Sequence, residues 1–188
     1  MAKRQIVQDG DPILTKKCRP VTKFDARLGE LLDDMKETLL DANGLGLAGP
    51  QVGVMRRVFI CLADCNLTAE EAEEKYKDGE KPEFIEFINP EILTQDGEVM
   101  MYEGCLSFPG HNAAIKRPQK VTARAFDRDG KPFTIEAEDM LARCICHENC
   151  HLDGITIMDL AEYFYEDEEH NDEEYDVDEA VGEFEEQA

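Results

Sequence analysis

An HExxH pattern occupies residues 147–151 and brings together three side chains that could perform chemistry. Residues four apart lie on one face of a helix, about 6 Å apart at their Cβ atoms, so His147 and His151 can bind the same cation. Glu148 would then reach a water molecule activated by that cation. The pattern also fits two histidines that never contact a metal, so it predicts a metal site only if the chain supplies a third ligand.

Two other segments offer the remaining parts of such a site. Residues 103–110, EGCLSFPG, hold Cys105 in a turn-forming setting after a predicted strand, where its sulfur can serve as the third ligand. Residues 44–53, GLGLAGPQVG, combine glycines that permit a close backbone approach with the amide side chain of Gln51. In an alternative, a zinc peptidase of another fold, the third ligand would be an acidic residue beyond the helix. The candidates for that ligand are Asp153, Asp159 and Glu162.

Hydrophobic periodicity predicts two helices that support these segments. Residues 25–43 place leucines and a methionine at helical spacing, with Asp25 at the N-cap and Gly44 just past the end. Residues 138–152 form a second helix, which contains the HExxH pattern. The strand candidates are residues 57–63, 84–88, 99–102, 121–126 and 133–137. The expected fold is α+β, with an N-terminal amphipathic helix and short antiparallel β-sheets packed around a central helix that bears HExxH.

Negative charge dominates the chain and is concentrated at its end. The 188 residues contain 20 Lys or Arg and 43 Asp or Glu, which gives a formal net charge of −23. No Lys or Arg follows Arg143, and 14 of the 27 residues from 162 to 188 are acidic. We therefore expect one domain at residues 1–161 and an acidic, flexible tail at residues 162–188. The alternative is a tail that docks a basic partner through Tyr163, Phe164, Tyr165, Tyr175 and Phe184.

Composition argues against several functional classes. A chain this acidic repels phosphate, so direct nucleic-acid binding is not expected. The apolar runs are shorter than the roughly 18 to 20 residues of a membrane helix, and the first residues lack the apolar core of a secretory signal. Seven cysteines, three of them between residues 144 and 150, fit free thiols in a reducing compartment. We expect a cytoplasmic protein without disulfides.

The three motifs, in their order and spacing, resemble the peptide deformylase family. The resemblance extends over residues 7–160 and includes DPIL at 11–14, RPV at 19–21, INP at 88–90 and HLDG at 151–154. Three positions depart from the family pattern: Gly49 replaces an alanine, and Cys146 and Cys150 replace a glutamine and an aspartate. Both cysteines point about 100° away from the metal-facing histidines of an ideal helix. Because groups that orient ligating histidines typically contribute about 10- to 100-fold, we expect reduced rather than abolished activity.

The resemblance implies a metal-dependent hydrolase that removes the N-formyl group from formyl-methionine at the N-terminus of newly made polypeptides and releases formate. It implies Fe²⁺ as the usual metal, with Zn²⁺ or Ni²⁺ able to take its place. The implied metal ligands are Cys105, His147 and His151. The implied catalytic groups are Glu148, which moves the proton, and Gln51 and the Leu106 backbone N–H, which stabilise the oxyanion. The implied substrate-binding residues are Gly44, Leu45 and Gly46 at a strand edge, and Cys144 and His147 in a pocket for the methionine side chain.

The expected partners are N-formylmethionyl peptides and ribosome-associated nascent chains. The acidic tail would be repelled by ribosomal RNA, so contact through it would require a basic ribosomal protein. Glu103 and Arg117 are expected to form an ion pair that steadies the cysteine turn.

A non-catalytic relative is the main alternative: a binding protein that kept the fold while the surroundings of the site changed. Gly49, Cys146, Cys150 and the acidic tail motivate this alternative. Glu148 and Gln51 argue for the enzyme, because neither is needed merely to hold a metal.

Overall fold

Antiparallel pairing organises the strands of the structure, a computed structural model that describes residues 2–165. The strands in this part of the chain are β1 (Gly46–Ala48), β2 (Val58–Leu62), β3 (Phe84–Asp96), β4 (Val99–Cys105), β5 (Phe108–Arg117), β6 (Lys120–Phe126), β7 (Pro132–Glu138) and β8 (Tyr163–Tyr165). They form a five-stranded sheet of order β1-β2-β3-β6-β7 and a three-stranded sheet of order β4-β5-β8. β1 is therefore an edge strand of the larger sheet.

Two of the helices fix the strands that surround the site. The helices are α1 (Ala26–Asp41), α2 (Ala69–Tyr76), α3 (Asp139–Leu152) and α4 (Ile157–Leu160), with a 3-10 helix at Gly49–Val52. Asp25 caps α1, since its side chain accepts a hydrogen bond from the Leu28 N–H at 3.2 Å. The buried stripe of α1 packs on β1 and β2, and α3 packs against β1, β2 and β7. β1 thus has α1 and α3 as neighbours.

The expectation of mixed helices and antiparallel sheets is confirmed, but some strands differ from the predicted ones. β3 continues through Pro90 instead of ending near residue 88, because a register shift between Ile88 and Glu91 accommodates the proline. β5 and β8 were not predicted. Residues 110–117 of β5, GHNAAIKR, lack the alternation of apolar and polar residues that identifies a strand from sequence.

The first residues of the predicted tail lie on the domain. Tyr163 and Tyr165 of β8 pair with Ala114 and Asn112 of β5. The remaining tail residues, 166–188, lie outside the described part of the chain, so the separate acidic tail stays a prediction. Between residues 2 and 165, no helix combines the length and apolar character needed to cross a membrane.

A buried carboxylate ties the smaller sheet to α3. Glu103 in β4 is 6% exposed and accepts hydrogen bonds from Arg117 in β5, from Nε at 2.9 Å and from Nη2 at 3.0 Å. Arg143 in α3 donates to the same carboxylate from Nη1 at 2.6 Å, and His147 Nδ1 lies 2.9 Å from its other oxygen. Burial alone would raise the pKa of Glu103, but the hydrogen bonds from His147 and Arg117 outweigh it and lower the pKa to about 2. The predicted Glu103–Arg117 pair is present, and it is part of a larger network.

Gly49 lies where the backbone leaves no room for a side chain, which gives a test of local packing. An added Cβ would lie 2.7 Å from the Val54 carbonyl oxygen and 2.8 Å from that of Arg56. We expect Gly49→Ala to lower the free energy of unfolding by about 1 to 3 kcal/mol, measured by guanidinium titration. Gly29→Ala in α1 is the control: no atom lies within 4 Å of its added Cβ, so a gain of about 0.5 to 1 kcal/mol is expected. A Gly49→Ala chain as stable as the parent would contradict this account.

The Glu103 network predicts a pH-dependent loss of stability. At pH 7, Glu103→Gln should lower the free energy of unfolding by about 3 to 5 kcal/mol, because two buried guanidinium groups lose their anionic partner. Since the pKa of Glu103 falls from 4.5 to about 2 on folding, its contribution is complete above pH 4.5 and is lost as the pH falls towards 2. Urea titrations at several pH values should therefore show the difference between parent and variant narrowing below pH 4.5. A constant difference would argue against an ionised Glu103.

Candidate metal centre and active site

Three ligand atoms from two distant parts of the chain meet at one point. Cys105 is the last residue of β4, and His147 and His151 lie one turn apart on α3. Cys105 Sγ is 3.3 Å from His151 Nε2, which is 3.3 Å from His147 Nε2. The ligand atoms of the three residues all lie within 4.8 Å of one another. A thiolate and two imidazoles are a donor set that suits zinc and other divalent transition metals.

The protonation of the two histidines fits a site for a cation. Burial would lower the pKa of His147, but hydrogen bonds with Cys105 and Glu103 outweigh it and raise the pKa to about 10. Burial and the charge of His147 lower the pKa of His151 well below its ordinary value. Cys105 and Glu103 thus favour positive charge at the His147 ring, and positive charge is what a bound divalent ion would supply.

Glu148 lies beside the cluster with a free oxygen. The side chain is buried, and its Oε2 has no hydrogen-bond partner among residues 2–165. Burial raises the pKa of this carboxyl to about 7. A carboxyl group with such a pKa can accept and return a proton near neutral pH.

Gly46 allows β1 to approach this carboxylate closely. A Cβ added at Gly46 would lie 2.6 Å from Glu148 Oε1 and 2.7 Å from Cys144 Sγ. A side chain at this position would therefore displace both groups, which explains why the glycine-rich segment lies against α3.

Gln51 presents its amide to the cluster in a fixed orientation. The Ala48 N–H donates to Gln51 Oε1 at 2.8 Å, which leaves the amide nitrogen pointing the other way. That nitrogen, Nε2, donates to Cys105 Sγ at 3.6 Å. The side chain can therefore offer N–H groups to an oxygen atom bound beside the sulfur.

The N-terminal segment holds the two loops of the site together. The Val7 N–H donates to the Gln51 carbonyl at 2.8 Å, and Gln8 Nε2 donates to the Leu106 carbonyl at 3.1 Å. Leu106 begins the two-residue turn between β4 and β5, directly after Cys105. Residues 7–8 thus link the glycine-rich segment to the cysteine turn, a connection that local sequence patterns did not suggest.

A cavity of about 420 Å³ opens onto the cluster. The predicted site residues that line it are Gly44, Leu45, Gly46, Gln51, Cys105, Leu106, Cys144, His147 and Glu148. His151 does not line it, since this residue is only 1% exposed. The structure therefore brings all the predicted site residues to one place.

Two lining residues of α3 were missed by the sequence reasoning. Met140 and Arg143 also face the cavity. Their spacing was the available signal: Met140 precedes Cys144 by one turn, and Arg143 precedes His147 by one turn on the same helix face. Arg143 was overlooked because a charged residue on that face is unexpected without knowledge of its buried partner.

The departures from the family pattern lie outside the ligand cluster. Cys150 Sγ accepts a hydrogen bond from Arg117 Nη1 at 3.3 Å, so this thiol touches the Glu103 network. Cys146 is buried, and burial raises its pKa to about 11. His151 Nδ1 has no hydrogen-bond partner in the described chain.

The acidic residues considered as alternative ligands are engaged elsewhere. Asp153 pairs with Arg57 Nη1 at 2.8 Å and with Lys17 Nζ at 3.2 Å. Asp159 accepts a hydrogen bond from the Thr156 N–H at 2.8 Å at the start of α4. Glu162 pairs with Lys116 Nζ at 3.4 Å. None of the three acidic residues joins the cluster of Cys105 and the two histidines, which argues against a zinc peptidase of another fold.

Comparison with known proteins gives one consistent result. The family model described as polypeptide deformylase matches residues 3–164. A peptide deformylase of Caldicellulosiruptor bescii is 46% identical over 169 residues, covering 90% of this chain and 92% of that protein. One of Clostridium botulinum is 47% identical over 159 residues, covering 85% and 97%.

Solved structures agree with the sequence comparison. A crystal structure of a peptide deformylase from Legionella pneumophila matches with a TM-score of 0.75 and 40% identity, over 86% of this chain and 87% of that one. The enzyme from Thermotoga maritima matches with a TM-score of 0.74 and 35% identity, over 87% and 100%. By sequence and by fold, the chain belongs to the polypeptide deformylase family.

Proposed function

We propose that this chain hydrolyses the N-formyl group of formyl-methionine at the N-terminus of newly made polypeptides, releasing formate and a free amino terminus. The observation that supports the proposal most directly is the cluster of Cys105, His147 and His151 next to a cavity that Glu148 and Gln51 line. Membership of the family agrees with it. A non-catalytic binding protein is not favoured, because Glu148 and Gln51 have no role in holding a metal.

The metal that we propose for the site is Fe²⁺, with Zn²⁺ or Ni²⁺ as substitutes, held by Cys105, His147 and His151. A bound divalent ion would lower the pKa of a water molecule, and its positive charge would polarise the formyl carbonyl. Glu103 assists by occupying His147 Nδ1, which leaves Nε2 of that ring as the ligand atom.

Glu148 is the proposed general base and acid. Its unpartnered oxygen can accept a proton from the attacking water and later deliver it to the leaving amine. Gln51 Nε2 and the Leu106 N–H are the proposed donors to the carbonyl oxygen as negative charge develops there. Loss of one such donor typically costs about 2.7 to 4 kcal/mol of transition-state stabilisation.

The substrate would bind along the edge of β1. Gly44, Leu45 and Gly46 can pair with the extended backbone of a peptide, since β1 is an edge strand. Cys144 and the ring of His147 would line the methionine pocket, the part of the cavity that receives the unbranched methionine side chain. We further propose that α3 is the central helix of the fold. The protein would act in the cytoplasm, and its substrates would be nascent chains at the ribosome.

A formate-release assay tests the proposed activity. Chain loaded with Fe²⁺ without oxygen should release formate from a formyl-Met-Ala peptide and should leave an acetyl-Met-Ala peptide intact. The acetyl peptide controls for a general peptidase or amidase. Metal-loaded chain that released no formate would make the binding-protein alternative the better account.

Replacing the proposed base should separate catalysis from metal binding. We expect Glu148→Gln to lower kcat about 10²- to 10⁴-fold because no group moves the proton. Its metal content, measured by mass spectrometry of the purified chain, should not change. Glu136→Gln, an exposed substitution of the same kind on β7, is the control and should retain full activity. Equal activity of Glu148→Gln and parent would remove Glu148 from the mechanism.

Adding one methyl group at β1 should disturb the base. Gly46→Ala places a Cβ within 2.6 Å of Glu148 Oε1, so that carboxylate must move. We expect kcat/KM to fall about 100-fold. Gly104→Ala, on another part of the cavity wall, meets only Asn112 Oδ1 at 3.5 Å and should have a much smaller effect. If the two variants lose equal activity, the loss does not come from displacing Glu148.

A further inference from the structure

Two thiols face each other behind the cavity wall. Cys61 lies in β2 and Cys144 lies in α3, and their sulfur atoms are 3.2 Å apart. Both cysteines are free and buried. They are separated by 83 residues in sequence, so only the packing of α3 on the sheet brings them together.

The pair is connected directly to the proposed active site. Cys144 lines the cavity, whereas Cys61 is completely buried behind it. A Cβ added at Gly46 would lie 2.7 Å from Cys144 Sγ and 2.6 Å from Glu148 Oε1. The sulfur of Cys144 therefore forms part of the wall that also holds the proposed base.

We propose that a two-electron oxidant such as hydrogen peroxide converts Cys61 and Cys144 into a reversible disulfide that reshapes the methionine pocket. The inference rests on the proposed function, because it uses the pocket assigned there. A disulfide in a protein of a reducing compartment is typically transient and responds to oxidant.

Peroxide would oxidise the two thiols to a disulfide in two steps. Peroxide reaches Cys144 through the cavity and oxidises its thiol to a sulfenic acid, with release of one water. The thiol of Cys61 then attacks that sulfur, forming the S–S bond and releasing a second water. Two thiols lose two electrons in total, and one peroxide is reduced to two waters. A dithiol reductant restores both thiols by exchange.

Cys61 is the favoured partner among the neighbouring thiols. Cys65 also interacts with Cys144, but its Sγ donates to the Leu62 carbonyl at 2.9 Å. Cys61 Sγ lies 3.2 Å from Cys144 Sγ. Cys150 lies against Arg117, and Cys105 lies against His151. Bond formation would shorten the present 3.2 Å separation to about 2.05 Å. The sulfur of Cys144 would thus move towards Cys61 and away from the cavity.

The burial of Cys61 and Cys144 determines how fast peroxide is expected to oxidise them. Burial raises the pKa of Cys61 to about 11, and the pKa of Cys144 is also raised, first by its contact with Cys61. Neutral thiols react slowly with peroxide. The pair would therefore respond to sustained rather than brief oxidation.

Peptide mapping tests the proposal. The chain is loaded with Ni²⁺, which occupies Cys105 and is not readily oxidised, and is treated with hydrogen peroxide. Free thiols are then blocked with iodoacetamide, and the digest is analysed by mass spectrometry. We expect a peptide containing Cys61 joined to one containing Cys144. Formate release should fall in proportion to the joined fraction and return with dithiothreitol.

Two variants complete the test. Cys61→Ala removes the partner without touching the cavity, so it should keep its basal activity and should not lose activity reversibly under peroxide. Cys18→Ala, which removes a buried thiol in the N-terminal segment, should behave like the parent. If Cys61→Ala does not fold, the peptide map of the parent chain is by itself the test of the Cys61–Cys144 disulfide.

The outcomes that would overturn the inference are specific. They are a digest without the Cys61–Cys144 link, a link from Cys144 to Cys65 instead, or an equal reversible loss of activity in Cys61→Ala. Failure of the proposed function would look different, since fully reduced Ni²⁺-loaded and Fe²⁺-loaded chain would then release no formate.

Discussion

The buried carboxylate of Glu103 is the constraint on which the site depends. It lies among two guanidinium groups and an imidazole, and its negative charge is the reason that Arg117 and Arg143 can be buried at all. Removing the Glu103 charge would leave both guanidinium groups buried without an anionic partner. The network joins β4, β5 and α3, the elements that carry the cysteine and the histidines. It also fixes the His147 ring, because Nδ1 faces Glu103 and Nε2 faces the other two ligands.

Local patterns were sufficient to predict the parts of the site but not the network that joins them. HExxH predicts two ligands and a base through helical periodicity, and the glycine-rich and cysteine segments each contain a distinctive turn. The contact of Arg143 with Glu103 spans 40 residues and leaves no local signal. The same applies to β5, whose small and polar residues are strand-forming only because β4 and β8 pair with it. Long-range pairing is therefore what the sequence reasoning could not supply.

The structure shows which groups surround two of the residues that depart from the family pattern, Gly49 and Cys150. Gly49, which stands where the family pattern has an alanine, is a point of close packing against the carbonyl oxygens of Val54 and Arg56. Cys150 takes a hydrogen bond from Arg117 where the family pattern has an acidic residue. Because a cysteine stands there instead of a carboxylate, Glu103 is the principal acceptor for that guanidinium. The expected consequence, reduced rather than abolished activity, remains a prediction.

The central claim is that one sulfur and two imidazole nitrogens of this chain hold a single divalent ion. X-ray absorption at the zinc edge of zinc-loaded chain measures this most directly. The account predicts one sulfur at about 2.3 Å and two imidazole nitrogens at about 2.0 to 2.1 Å from the metal. A spectrum without sulfur at that distance, or with only one imidazole, would contradict it.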